Sequence, residues 1–592
     1  MDPGPGGRWN SRGYCEEEAD GLRSASGSGF HIDGVLRAVA NGQVSANQVL
    51  ETRAPSGSRA FNWRVAVSLS LGIAAGWLIV RLVLLAVLGV PDPKIIDEFS
   101  FLVGGDTFAH GRLTNPPHPL SPFFASPQIL IEPTYSSKYP PGQAIFLAAG
   151  QALFGNPFYG IVLEGVLMMF LLCLMLCLWT SFWPAAIVST ALALFFQPPM
   201  YWVNSYWGGC LAVCGAAMLL VAMGWFRISS RAISGCIFAA GAVFLFVTRP
   251  YEGGVFFLVS LILLLSTPIV AQTLAQKRKL IPALACGLPV VLAAGVATAL
   301  HNYAVTGSDF TIPYQLHART YDVAPVFWFQ SMRKPDPPYP QPRLAALHGS
   351  HGWEVDSYRE SRNVRYGYAG HLKNAVADFR HLLPFLPCML ILPCLFSKRI
   401  FMDGRFWFCL ALVAAGIFAD SLEIWRFRHY MAPAVPAIVL LWAVFVEGAL
   451  LMRVGKVPLG AIAVAGAFLI VSAQSVSGTR AFRDRGVSEW NAWIGRTAQS
   501  RWPHARTEMI RQLSANKKPS LVIVRYPSPF WNVVIEWVYN GADIDHQKVI
   551  WANDLGADRN RELLNYYPDR TVWLLTFDPD NPDRYFLNPY PG

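Results

Sequence analysis

The sequence predicts a polytopic α-helical membrane protein of about eleven spans, with a small α/β region at its C-terminal end. Three observations lead there. Charged residues make up 15% of the 592, against about 25% in an ordinary soluble protein. From Pro157 to Phe226 the only charged residue is Glu164, and a stretch that long with one charge is membrane sequence rather than a soluble core. The apolar runs then stop near Thr479, where short alternating segments replace them.

The first 64 residues are rich in Gly, Ser and Arg and lack an apolar core of signal-peptide length. This composition predicts a disordered cytoplasmic tail. Apolar segments at 65–90, 157–179, 183–200, 208–226, 232–249, 254–272, 280–301, 381–397, 405–421, 430–451 and 457–476 are the expected spans. Gly142–Gly155 is also apolar, but its 14 residues make only about 21 Å of helix against roughly 30 Å of hydrocarbon. It is expected to lie along the membrane surface. Charge parity supports that choice. With an inner N-terminus, the inner loops hold Arg227/Arg231, Lys277/Arg278/Lys279, Lys398/Arg399/Arg405 and Arg453/Lys456, while the short outer loops are poor in Lys and Arg. A crossing at Gly142–Gly155 would reverse every later loop.

This topology puts three regions outside: a loop from Pro91 to Asn156, a loop from Asn302 to Arg380, and the segment 479–592. In the last, strands are expected at 520–525, 548–552 and 571–577, with helices at 505–515, 530–540 and 558–566. The net charge of +10 is spread over loop clusters, the pattern of membrane orientation and not of a nucleic-acid partner. Most of the ten Cys residues fall in apolar segments, which argues against a disulfide framework, and no Cys spacing reads as a zinc site.

Chemistry is best sought in the first outer loop. Asp97-Glu98 stands just beyond the first span, followed by an aromatic stretch (Phe99, Phe101, Phe108), Gly111-Arg112-Leu113, several prolines and Lys138-Tyr139-Pro140-Pro141-Gly142. A carboxylate at the membrane surface can take a proton from a hydroxyl, and a lysine can bind a phosphate as a point charge. An isolated Asp-Glu pair is more often a helix-start residue set.

The order of these features resembles the GT-C superfamily of integral-membrane glycosyltransferases. Within it, the likeness is to the branch of protein O-mannosyltransferases, lipid A aminoarabinose transferases and RgtA/B/C/D-like proteins. The resemblance covers roughly residues 91–160. It implies transfer of a sugar, with inversion, from a polyprenyl-phosphate donor to a glycan, lipid or protein acceptor on the outer face of a plasma (inner) membrane. It implies Asp97 as general base, Glu98 as the second acid and Lys138 near the donor phosphate. The register departs by one residue from the Lys-Pro-Pro form of the aminoarabinose enzymes, since Tyr139 intervenes.

Position adds Arg249 at one span end and Arg426, Arg428, His429 and Tyr430 at another. Arginine suits bidentate phosphate binding, although Arg and Tyr also anchor span ends. Arg81 lies inside the first span, where it would snorkel, pair with Glu164 or serve function. Trp202, Tyr206 and Trp207 are expected as an interfacial belt, or less often a sugar platform. Nine of the twelve histidines (110, 118, 301, 317, 348, 351, 371, 381, 429) fall at outer loops. A divalent metal ion, which some relatives hold near the first-loop acids, is therefore a candidate cofactor, but no spacing places it, and His348-x-x-His351 reads as polar loop. The rival readings are a transporter or flippase of lipid-linked sugars, and a membrane scaffold. The first would call for repeats, broken helices with midplane charges and no long loop after the first span, whereas the charges of the candidate site lie at the outer surface.

Overall fold

The computed structural model describes residues 61–229, 232–266, 280–362, 367–382, 398–425, 427–485, 502–529, 531–581 and 584–591. The expected disordered tail lies outside them, except that its last residues already belong to the first helix. Asn62 caps that helix, its side chain accepting from the Val65 N–H at 3.3 Å, and α1 runs Trp63–Leu88.

In the described residues, seven helices are long and apolar enough to cross a membrane. They are α1, α4 (Phe158–Trp179), α6 (Cys210–Ser229), α9 (Leu280–Thr306), α14 (Gly404–Leu422), the Arg428–Ala434 turn with α15 (Val435–Leu450), and α16 (Leu459–Arg485). Three shorter apolar helices fall on further expected spans: α5 (Phe182–Phe195), α7 (Ile233–Thr248) and α8 (Pro250–Ser266). The expected span 381–397 lies outside the described residues apart from its first two. Helix α1 leaves Leu71, Ile79, Val83 and Val87 exposed, an apolar outer face that water would penalise and hydrocarbon would not.

Arg81 shows how the helical part handles a charge. It is buried, and its guanidinium donates to the Val203 carbonyl at 2.8 Å and to Asn204 Oδ1 at 2.7 Å. It thus pins the 203–204 turn and does not pair with Glu164. Trp202, Tyr206 and Trp207 are buried in the same core, so they form neither an interfacial belt nor an open sugar platform. Their segment, 196–209, folds inward after α5 ends five residues before the predicted boundary.

The loop after α1 builds α2 (Ile96–Ala109), a short hairpin of β1 (Ile129–Leu130) and β2 (Ser136–Ser137), and α3 (Pro141–Phe154). Helix α3 has 14 residues, the expected short helix. It lies tightly on α2 and α4 because glycines remove side chains at the crossings. A Cβ on Gly105 would come within 2.8 Å of the Leu147 Cβ, and one on Gly160 within 2.1 Å of the Phe146 carbonyl oxygen.

The loop 302–380 carries α10 (Pro313–Tyr321), α11 (Pro342–His348), α12 (Trp353–Ser361) and α13 (Gly367–Leu382). Beyond α17 (Trp502–Ser514) a four-stranded sheet forms from β3 (Ser520–Arg525), β4 (Val549–Asn553), β5 (Thr571–Phe577) and β6 (Tyr585–Pro589), in the order β4-β3-β5-β6. Strand β3 is parallel to β4 and β5, and β6 runs antiparallel to β5. Helix α18 (Ala557–Tyr566) connects β4 to β5. The segment 530–540, expected as a helix, is turns and extended coil in its described residues. Its apolar residues Ile535, Trp537 and Val538 are all buried, so a run that imitated a helical face is core packing of an irregular segment.

The sheet sits on the first loop. Tyr135 donates to the Asn540 carbonyl at 2.9 Å, the Asn553 side chain donates to the Phe123 and Ala125 carbonyls, and Asp106 accepts from the Ala542 N–H at 2.7 Å. Asp106 also accepts from Gln151 of α3 at 2.7 Å. A single carboxylate therefore ties α2 to both α3 and the segment before β4.

Candidate active site

Asp97 and Glu98 stand together in the first turn of α2, but helical geometry sends their side chains apart. Glu98 is 2% exposed. Its Oε2 accepts from the N–H groups of Lys94 (2.5 Å) and Ile95 (3.2 Å), and its Oε1 accepts from that of Tyr206 (2.9 Å). Two of those donors, the Lys94 and Ile95 N–H groups, stand at the start of α2, so Glu98 supplies the acidic half of a capping box there, while Ile95 has no side-chain acceptor for the other half. The third ties α2 to the turn following α5. Burial pushes the Glu98 carboxyl up, against these three hydrogen bonds and the Lys94 charge.

Asp97 keeps part of its surface open. Its Oδ1 accepts a hydrogen bond from the Tyr139 hydroxyl. Burial pushes this carboxyl up, while the Tyr139 hydrogen bond and the charges of Lys138 and Arg249 hold it down. Burial and the neighbouring Asp97 also raise the Tyr139 phenol well above its ordinary range, so it remains a donor at neutral pH.

Local folding brings Lys138 and Tyr139 to Asp97. Ser100, one turn along α2, donates to the Gln128 carbonyl at 2.6 Å and lies 2.9 Å from the Ser137 hydroxyl. This pair clamps the hairpin to α2, and the next two residues, Lys138 and Tyr139, fall beside Asp97. The Tyr139 ring stacks on Phe101 at 4.3 Å. Lys138 is 4% exposed, with its ammonium 5.4 Å from the Tyr139 ring centre and 4.8 Å from that of Tyr314. Among the described residues no carboxylate pairs with it. The faces of the two rings hold the ammonium by cation–π attraction.

Arg249 and Tyr430 complete the cluster. The Arg249 guanidinium lies 4.5 Å over the Tyr430 ring and 3.7 Å from Glu252. The sequence-predicted residues Asp97, Lys138, Tyr139, Arg249 and Tyr430 thus share one neighbourhood, built from four separate parts of the chain. Tyr314 joins them and went unremarked in the sequence, because nothing local distinguishes one loop tyrosine from another. Arg426 lies outside the described residues. Arg428 is half-buried at the start of its turn. His429 has no exposed surface: it hydrogen-bonds the Tyr201 hydroxyl at 2.8 Å and is packed by Trp207 and Phe427. Its place is in the core, so its expected substrate contact is not open to it.

A metal ion between the first-loop acids does not fit these residues. Both Glu98 oxygens are engaged by backbone N–H groups, and Asp97 takes the Tyr139 phenol. No third metal-ligating side chain converges on them among the described residues.

No family model matches the sequence, and no curated protein matches it. Solved structures do follow the chain over most of its length. ArnT from Cupriavidus metallidurans bound to undecaprenyl phosphate is 12% identical, with a TM-score of 0.44 over 89% of this chain and 98% of that one. The apo ArnT structure is 11% identical, with a TM-score of 0.43 over 87% and 97%. The Archaeoglobus fulgidus oligosaccharyltransferase tethered with an acceptor peptide is 12% identical, with a TM-score of 0.42 over 87% and 69%. The chain is thus similar in its course to an ArnT and to an oligosaccharyltransferase, at a level of identity and superposition that assigns no residue role.

Proposed function

We propose that this protein transfers a sugar from a polyprenyl-phosphate carrier to an acceptor hydroxyl on the outer face of the membrane, with Asp97 as general base. The observation that carries this reading is a partly open, burial-raised carboxylate beside two cations that are held largely by aromatic rings. Such a base operates nearer neutral pH than an ordinary aspartate. The acceptor hydroxyl oxygen forms a bond to the anomeric carbon, its proton passes to Asp97, and the carbon–oxygen bond to the phosphate breaks with its electron pair. The leaving phosphate is already an acceptable anion, so it needs cations rather than an acid. Lys138 and Arg249 supply them, and Tyr139 and Tyr314 hold Lys138 in place.

Glu98 is a positioning residue in this scheme. It starts α2 at the correct point and anchors it to Tyr206. His429 supports the Tyr201–Trp207 core beneath the site. The carrier class and inversion follow the resemblance of the first loop. In the same reading the first loop, the 302–380 loop and the C-terminal sheet share the outer side of a plasma membrane.

The test is a reconstituted transfer assay. Purified protein is given a short polyprenyl-phosphate sugar and an envelope extract as acceptor, and labelled sugar is followed from carrier to product. The reading expects product and free carrier phosphate with the native chain, and neither with Asp97→Asn. Equal product from the variant would remove Asp97 as the base.

A further inference from the structure

The second outer loop contains a buried group of ligating atoms that the transfer scheme does not use. His317 on α10, Asp322 just past its end and His348 at the end of α11 present one ligand atom each, all within 4.8 Å of one another. His317 Nδ1 is 3.4 Å and His348 Nδ1 is 3.1 Å from the same Asp322 Oδ1. Glu354 on α12 adds a second carboxylate, its Oε2 hydrogen-bonded to His348 Nδ1 at 2.8 Å. Both histidines have no exposed surface.

The spacing suits a cation. Ligands about 2.0–2.1 Å from a tetrahedral zinc lie about 3.3–3.4 Å from one another, close to the 3.4 and 3.1 Å of the two Asp322 contacts. The polar accounting points the same way. Among the described residues neither ring nitrogen of His317 has a hydrogen-bond partner, although Nδ1 faces Asp322, and Asp322 Oδ1 is also unsatisfied. An unsatisfied buried polar atom costs about 1–3 kcal/mol, and a metal ion would satisfy both sides at once. Two neutral imidazoles and two carboxylates would balance a divalent charge, with nitrogen and oxygen donors that suit zinc among the available ions.

We propose that His317, Asp322 and His348, with Glu354 as a fourth ligand, form a divalent transition-metal site of the zinc type that braces the second outer loop. The site stands independently of the glycosyl-transfer reading and of the first-loop acids. Its consequence for them is positional. Tyr314 lies one helical turn before His317 on α10, and its ring carries the Lys138 ammonium. A metal that joins the ends of α10 and α11 holds Tyr314 against the first loop.

The experiment is metal analysis of the full chain purified in detergent, equilibrated with zinc and freed of excess. The expected result is about one equivalent per chain for the native protein, a drop of at least tenfold in His317→Gln and in Asp322→Asn, and no change in exposed His351→Ala. Elution of each variant as the native species accompanies the measurement. Cobalt substitution of the native chain provides a readout that needs no variant: one saturable equivalent with tetrahedral visible absorption is expected. A native chain that retains no more metal than His317→Gln, a loss in His351→Ala equal to that in His317→Gln, or cobalt bound without the tetrahedral bands would each overturn the site.

Discussion

Tyr139→Phe isolates what sets the proton affinity of Asp97. The substitution deletes one oxygen and leaves the ring, which stacks on Phe101 at 4.3 Å and faces the Lys138 ammonium at 5.4 Å. Packing and the cation are therefore retained, and only the hydrogen bond to Asp97 is lost. That bond favours the charged carboxylate, whereas burial favours the neutral acid. Removing it pushes the Asp97 carboxyl further up, so a larger share is protonated and unable to act as base on the acid side of the profile. A hydrogen bond to a charged group is worth about 1.5–3 kcal/mol, which is a rate loss of roughly 10- to 150-fold at pH values below the limb. At pH values above the limb the carboxylate forms anyway, and the rate should return to within a few-fold of native. The assay is kcat/KM for sugar transfer as a function of pH, native against variant. The acid limb should move to higher pH. A limb that stays in place, or a uniform loss at every pH, would refute the electrostatic role and leave Tyr139 as a packing residue.

Three further outcomes follow from the same geometry. Asp97→Asn retains an oxygen to accept from Tyr139 but cannot take a proton, so transfer should fall about 10²–10⁴-fold with thermal unfolding unchanged, as measured by single-turnover transfer and by calorimetry. Lys138→Gln removes a buried cation and should cost about 10²-fold in kcat, while Lys138→Arg should also fail, because a planar fork does not fit the slot between Tyr139 and Tyr314; steady-state kinetics of both variants decide it. Glu98→Gln should lower stability by about 1–3 kcal/mol through its contacts with the Lys94, Ile95 and Tyr206 N–H groups, seen as a reduced unfolding temperature, with the pH profile of the remaining activity unchanged.

The parts of this architecture legible in the sequence are those coded by local composition. Apolar length marks the helices, and the run Gly142–Gly155 gives α3, a helix of 14 residues. Strands β3 and β5 are short, β-branched runs that speak for themselves. Strand β6 was missed because Tyr585–Pro589 contains Asn588 and Pro589 and is mostly exposed, pairing only along one edge of β5. The 530–540 segment misled because buried apolar residues in irregular backbone carry no period of their own. In the site, Asp97 and Lys138 were marked by a recognisable order of motifs. The role of Glu98 was not, since it depends on which side of α2 faces the Tyr206 turn, a contact 108 residues away in sequence. The same holds for Tyr314 and for Asp322 between two histidines, where only the folded loop brings the atoms together.

The central claim is that a sugar leaves a lipid phosphate and joins an acceptor at the outer surface. It is tested most directly by a carrier balance in sealed proteoliposomes loaded with a polyprenyl-phosphate sugar. The account predicts free polyprenyl phosphate and glycosylated acceptor appearing in equal amounts, both absent with Asp97→Asn. Movement of intact sugar-bearing carrier between leaflets, with no free phosphate and no glycosylated product, would contradict it.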